Sequence, residues 1–320
     1  DRVGKVKPSA TLAITAKANE LKAKGIQIVS MGSGEPDFDT PKNVQQAAVE
    51  AIHNGQTRYT AVDGTPELKQ AIIDKFKREN NLKYSATEVM VSSGGKQVFY
   101  NLCQALLNKG DEVIIPSPYW VSYPDMVILA DATPVIVETG LEQGFKITPE
   151  QLEASITKNT KLFVINSPSN PTGAVYSQQT LDELAELLLR KEKEYGHPIY
   201  LVSDDIYRYL VFDGLTNSNV FLSYPNSILV NSHSKDLGLA GERIGYIAVH
   251  PDAVEGAELR QALVLCNRIL GFVNAPAMMQ KILPLLGNAR VDISVYEKSR
   301  DKIFSMISEL GFEAIKPQGA

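Results

Sequence analysis

Cysteine is scarce in this chain of 320 residues: Cys103 and Cys266 are the only two. Two isolated cysteines make neither a disulfide framework nor a zinc site, and they read as free thiols of a reducing, cytoplasmic compartment. Tryptophan occurs once, as Trp120, and the four histidines form no i, i+4 pair, so no metal centre is expected. Positive charge is not in excess. The 32 Lys and Arg against 37 Asp and Glu leave a net −5, which argues against a nucleic-acid or anionic-membrane binder. No apolar run reaches membrane-spanning length, and no apolar leader follows the first residues, so neither a span nor a signal peptide is expected. Glycine and proline are at ordinary levels, 22 and 17 residues, which excludes collagen-like and low-complexity chains.

What is present is alternation of short apolar, β-branched runs with amphipathic ones. A helix is expected from Ser9 to Lys24, stopped by Gly25, with Ile26–Val29 as a short strand. Thr40-Pro41 and Thr65-Pro66 each read as a cap followed by proline at the first helical position. Strands are expected at Glu88–Val91, Glu112–Ile115, Pro134–Val137, Lys161–Ile165, Ile199–Val202, Ile228–Val230 and Gly245–Val249, with mostly helix after Pro251. Strands apolar on both faces and separated by helices mean an α/β fold with a mainly parallel sheet covered on both sides. Chemistry in such sheets gathers at the carboxyl ends of strands. Three strand ends carry residues that no periodicity requires: Ser92–Lys96, Asn166–Gly173 and Ser203–Tyr207.

Each of these has an ordinary reading and a chemical one. Lys235, in Ser232-His233-Ser234-Lys235, is either a surface charge or a lysine that forms a Schiff base with a carbonyl cofactor and then shuttles protons. Arg243, with Ser232 and Ser234, suits a phosphate. Gly94-Gly95-Lys96 is either a plain strand-to-helix turn or a place where backbone N–H groups meet an anion. Asp204 is a helix cap or a carboxylate that keeps a pyridine nitrogen protonated. Asn170 is a turn residue or, with Tyr207, a partner for a ring hydroxyl. Trp120 is a core residue or a stacking plate for a flat cofactor. Taken together, the chemical readings describe one ligand: a phosphorylated pyridine aldehyde.

The chain resembles the fold-type-I, pyridoxal-phosphate-dependent aminotransferases of class I, in the bacterial aspartate aminotransferase branch. The marks are Lys7–Thr11, Gly34–Phe38, Tyr59 with Gly64–Leu68, Gly94–Gln97, Asn170–Gly173, Ser203-Asp204, Ser232-x-Ser234-Lys235 and Arg243–Gly245. The resemblance implies a three-layer α/β sandwich: a large cofactor domain over residues 40–271 and a smaller α+β domain from 1–39 and 272–320. It implies pyridoxal 5′-phosphate on Lys235, with Asp204 at the pyridine nitrogen, Asn170 and Tyr207 at the ring oxygen, and Trp120 stacked. Gly94, Gly95, Lys96, Ser232, Ser234 and Arg243 match the phosphate cup. Tyr59 matches a tyrosine that reaches the phosphate of a partner subunit, which implies a homodimer with shared sites. Gly34 matches a glycine that meets the substrate carboxylate, and Lys96 and Thr11 match positions associated with a distal carboxylate.

The activity so implied is ping-pong transfer of an amino group from aspartate, or another dicarboxylic amino acid, to a 2-oxo acid such as 2-oxoglutarate. A buried ammonium at Lys96 would reward a second carboxylate. Lys7 leaves amination of prephenate open, and aromatic or methionine donors are alternatives. The same scaffold also serves β-elimination and non-catalytic cofactor-binding regulators. Family members continue past Lys316–Ala320 into a stretch carrying the arginine that clamps the α-carboxylate; Arg260, Arg268, Arg290 and Arg300 do not match it, and the expectation is that this stretch is omitted here.

Overall fold

Seven β-branched runs become seven strands of a single sheet because the central ones place apolar side chains against a helical layer on either face, while the edge strand at 133–138 does so mainly on one. The computed structural model describes residues 3–6, 8, 10–29, 34, 36, 38–287 and 289–320, with the backbone alone at 3 and 10–12. The strands are β1 (Val89–Ser92), β2 (Glu112–Ser117), β3 (Thr133–Glu138), β4 (Thr160–Asn166), β5 (Tyr200–Asp204), β6 (Ser227–Ser232) and β7 (Gly245–Val249). The helices are α1 (Ala10–Ala23), α2 (Lys42–His53), α3 (Pro66–Asn80), α4 (Gly95–Leu106), α5 (Ser122–Leu129), α6 (Pro149–Ser155), α7 (Gln178–Tyr195), α8 (Gly256–Ile269), α9 (Ala277–Ile282) and α10 (Ser294–Glu309). The strand order is β1-β7-β6-β5-β4-β2-β3, and β7 alone runs against the rest.

Alternation along the central strands divides the core in two. Phe163 and Ile165 of β4 and Leu201 of β5 face one cluster with Leu68, Ile72 and Phe76 of α3 and Leu184 and Leu188 of α7. Leu162, Val164, Tyr200 and Val202 face the other, with Val98 and Leu102 of α4, Val127 of α5 and Leu259 and Leu263 of α8. Both cysteines are buried and free, as their isolation in the sequence suggests. Met279 and Ile282 of α9 join the first cluster, whereas α10 contributes to neither. Among the described residues, β structure after residue 271 is one bridge, Val211 to Gly319. No described helix is long and apolar enough to cross a membrane.

Three local expectations differ from the structure. Ile26–Val29 joins no strand, and Val29 is 89% exposed; an isolated extended run has no neighbour to take its backbone hydrogen bonds. The helix after Thr40-Pro41 begins at Lys42, so Pro41 sits at the cap rather than inside. Helix α6 is additional, and its start is a capping box between Thr148 and Gln151. Thr65 caps α3 as expected, with its hydroxyl accepting from the Leu68 N–H at 3.4 Å.

Candidate active site

Because β7 is reversed, its amino end meets the carboxyl ends of β1 and β6. Ser92, Gly245 and Ser232 are aligned side by side across the three strands. Gly245 has to be glycine: a Cβ there would lie 2.8 Å from the Asn231 carbonyl oxygen and 2.9 Å from the Gly95 nitrogen. That close approach brings the Gly94-Gly95 turn, at the N-terminus of α4, against Arg243. Gly94 has φ 89°, and a Cβ on it would meet the Arg243 guanidinium at 2.6 Å. The Arg243 Nη1 donates to the Ala240 carbonyl at 2.7 Å, which orients the fork. Ser232 and Ser234 are buried beside it, and the Ser234 N–H donates to the Ser232 hydroxyl at 3.4 Å.

Gly95, Ser232, Ser234 and Arg243 line a cavity of about 540 Å³, together with Lys235, Asp204, Tyr207, Asn170 and Trp120. Asp204 ends β5 and is 4% exposed. Burial pushes its carboxyl up to about 6; a hydrogen bond from Tyr123 at 2.5 Å and the Ile206 N–H at 3.3 Å pull the other way. Tyr207 is pushed up to about 12 by burial and then by the Asp204 charge, so its phenol stays protonated at neutral pH. The Asn170 Nδ2 donates to that phenol at 3.3 Å. The Lys235 Nζ donates to the Gly34 carbonyl at 3.4 Å. The Lys96 Nζ stands 4.9 Å over the Trp120 ring, and burial, then Arg243, lower its pKa.

A second cavity of about 780 Å³ adjoins the first and shares Gly34, Asn170, Tyr207 and Lys235 with it. Ile303, Phe304 and Ile307 of α10 give it an apolar wall. Arg300 lines it too, but its guanidinium is held by Asp213 at 2.7 and 2.9 Å and by the Pro317 carbonyl at 2.8 Å.

Of the residues singled out in the sequence, Lys235, Asp204, Tyr207, Asn170, Trp120, Gly34, Gly95, Lys96, Ser232, Ser234 and Arg243 line the first cavity. Gly94 backs it through Arg243. Tyr59 lies elsewhere, 90% exposed on the surface. Lys7 and the side chain of Thr11 lie outside the described residues. Lys96, in the first turn of α4, is exposed overall rather than fully buried, though its ammonium is partly desolvated. Two further residues that line the cavity were missed. Tyr123 carried no signal except its helical spacing from Trp120; the rings meet edge to face at 5.1 Å. Asn166 lay within a flagged strand end. Its Nδ2 donates to the Asp204 carbonyl at 2.9 Å, and its Oδ1 accepts from the Asn170 N–H at 2.7 Å.

A lysine, a buried carboxylate and an arginine beside a glycine turn meet around one cavity, and the family model for class I and II aminotransferases, a class of transferase, matches residues 26–320. The chain belongs to that family and is an aminotransferase. It is 46% identical over 328 residues to the aspartate/prephenate aminotransferase of Cereibacter sphaeroides, covering 100% of this chain and 80% of the relative. It is 41% identical over 325 residues to the aspartate aminotransferase of Bacillus sp. strain YM-2, covering 100% and 81%. Among solved structures, the aspartate aminotransferase of Thermus thermophilus with maleate superposes with a TM-score of 0.90 at 39% identity, covering 100% of this chain and 82% of that one. The chain thus spans about four fifths of the length of these relatives.

Proposed function

We propose that the cavity holds pyridoxal 5′-phosphate and transfers amino groups between dicarboxylic amino acids, aspartate first among them, and 2-oxo acids. The observation that carries this is the convergence of Lys235, Asp204 and Arg243 on one cavity. The residues fit the cofactor. Asp204 is a buried carboxylate with no cation beside it among the described residues, and a pyridinium N–H supplies one. The turn at Gly94 and Gly95 leaves backbone and guanidinium donors room for a phosphate, and two buried hydroxyls stand beside them.

When bound, the cofactor supplies an aldehyde that takes the amino group and a ring that takes up electrons from the substrate Cα. Lys235 holds the cofactor and moves the proton at its Nζ. Asp204 keeps the ring nitrogen protonated, and Tyr123 and Asn166 hold Asp204 in place. Asn170 and Tyr207 grip the ring oxygen, Trp120 covers the ring, and Gly34 offers its backbone to the substrate carboxylate. Lys96, and Thr11 with it, would meet the distal carboxylate; maleate in the Thermus relative is a dicarboxylate too. An exposed Lys96 sets a graded preference, since an exposed ammonium left unpaired costs little. Tyr59, at 90% exposure, would serve the phosphate of a second copy in a homodimer, in a cytoplasmic enzyme. The division into residues 40–271 and a smaller part of 1–39 and 272–320 belongs to the same reading, with the cleft between them.

Lys235→Ala should lower turnover at least about a thousandfold and leave the cofactor bound only noncovalently. Borohydride reduction of loaded wild type, followed by peptide mapping, should put the pyridoxyl mass on Lys235. A mass elsewhere would remove the lysine from its role. A donor panel of aspartate, tyrosine, methionine and alanine with 2-oxoglutarate, and of glutamate with oxaloacetate, should rank the two dicarboxylic donors first, and equal rates for all five would refute the dicarboxylate preference.

A further inference from the structure

Tyr59 is an exposed aromatic on a loop, yet the loop behind it is tied into the core. The Val62 carbonyl accepts from the Asn267 Nδ2 at 2.8 Å. The Asp63 carbonyl accepts from the Val91 N–H of β1 at 2.9 Å. Gln280, fully buried, accepts from the Thr65 N–H at 2.8 Å and donates to the Thr60 hydroxyl at 2.9 Å. Asn267, on α8, is also fully buried. Its Oδ1 accepts from the Gln97 Nε2 at 2.6 Å, and the Gln97 Oε1 accepts from the Ser93 N–H at 2.7 Å. Ser93 is the residue before the Gly94-Gly95 turn.

The result is a directional chain of three hydrogen bonds: Ser93 N–H to Gln97, Gln97 to Asn267, Asn267 to the Val62 carbonyl. A backbone donor at one end and a backbone acceptor at the other fix the orientation of both side-chain amides. Turning either one over would set donor against donor in a buried site. Head-to-tail bonds of this kind polarise one another, so displacement at one end is felt at the other.

We propose that Asn267, acting through Gln97, is a positioning residue that sets the phosphate cup of one active site and the Tyr59 segment as a single unit. In a dimer with shared sites, that unit links a chain's own cup to the tyrosine it lends to its partner. This rests on the reading that Tyr59 serves the partner's phosphate position. Neither Gln97 nor Asn267 lines the cavity.

Two measurements test it. Hydrogen exchange on Asn267→Ala, and on Gln97→Met should the first fold poorly, should speed the amides of residues 59–65 and of residues 93–96 together, with β4 and β5 unchanged. Faster exchange at only one of the two segments, or across the whole sheet, would overturn the proposal. The second is a cycle of pyridoxal phosphate affinities on apoprotein. Asn267→Ala should weaken binding about tenfold, the scale of one lost hydrogen bond, and should weaken it distinctly less in a Tyr59→Phe background. Full additivity overturns the coupling while leaving the Tyr59 role intact. No effect of Tyr59→Phe by itself overturns both.

Discussion

At the scale of single residues, Asp204 has the sharpest consequence. Its carboxyl sits near 6 in the folded chain, against 3.8 for an unperturbed one. Between those values the folded state binds the proton that the unfolded state releases. Stability of the apoprotein therefore falls as pH rises through that window, by an amount on the order of 3 kcal/mol at most. Apoprotein melting temperatures should drop between pH 4 and about 6 and level off above it. Asp204→Asn should flatten that fall and leave a fold at least as stable at pH 7, and on the proposed role turnover should collapse, since the ring nitrogen would lose its acid partner. A wild-type curve that is level across the window would contradict the buried-carboxylate account. Tyr123→Phe removes the shortest bond to Asp204, so it should push the carboxyl further up and steepen the same fall.

At the scale of elements, Gly245 decides whether the cup closes. A methyl group at that position meets backbone of β6 and of the Gly94-Gly95 turn, which cannot yield as a flexible side chain can. Gly245→Ala should cost about 2–3 kcal/mol, read as a lower urea midpoint, and should weaken cofactor binding more than a change of equal cost on α7. The strands were legible in the sequence because β4, β5 and β6 are apolar on both faces, a pattern that survives without knowledge of neighbours. The run Ile26–Val29 had the same composition but no partner, and composition alone does not supply one. The residues that meet at the cavity were legible where their chemistry was out of place at or just past a strand end, as with Asp204, Asn170 and Lys235. It was not legible where the contact is remote. Gln97 and Asn267 lie 170 positions apart, and nothing in either neighbourhood announces the other. Helix α6 was legible in principle, since Thr148 and Gln151 carry its capping signal within four residues.

At the scale of the whole molecule, the exposed Tyr59 makes a prediction about assembly. In the proposed dimer, pairing Lys235→Ala chains with Tyr59→Phe chains should restore one site of wild-type cofactor affinity, since each chain would supply what the other lacks. Titration of the mixture against each parent would detect it, and a mixture no better than the average of its parents would deny the exchange. The reversed strand carries a consequence of another kind. Strand β1, first to be synthesised, is an edge strand whose only neighbour is β7, whose last residue is Val249. A ribosome must deliver most of the polypeptide before the anion nest has its third wall, and contacts so distant along the chain form slowly. Nascent chains arrested before Gly245 should be unable to retain the vitamin.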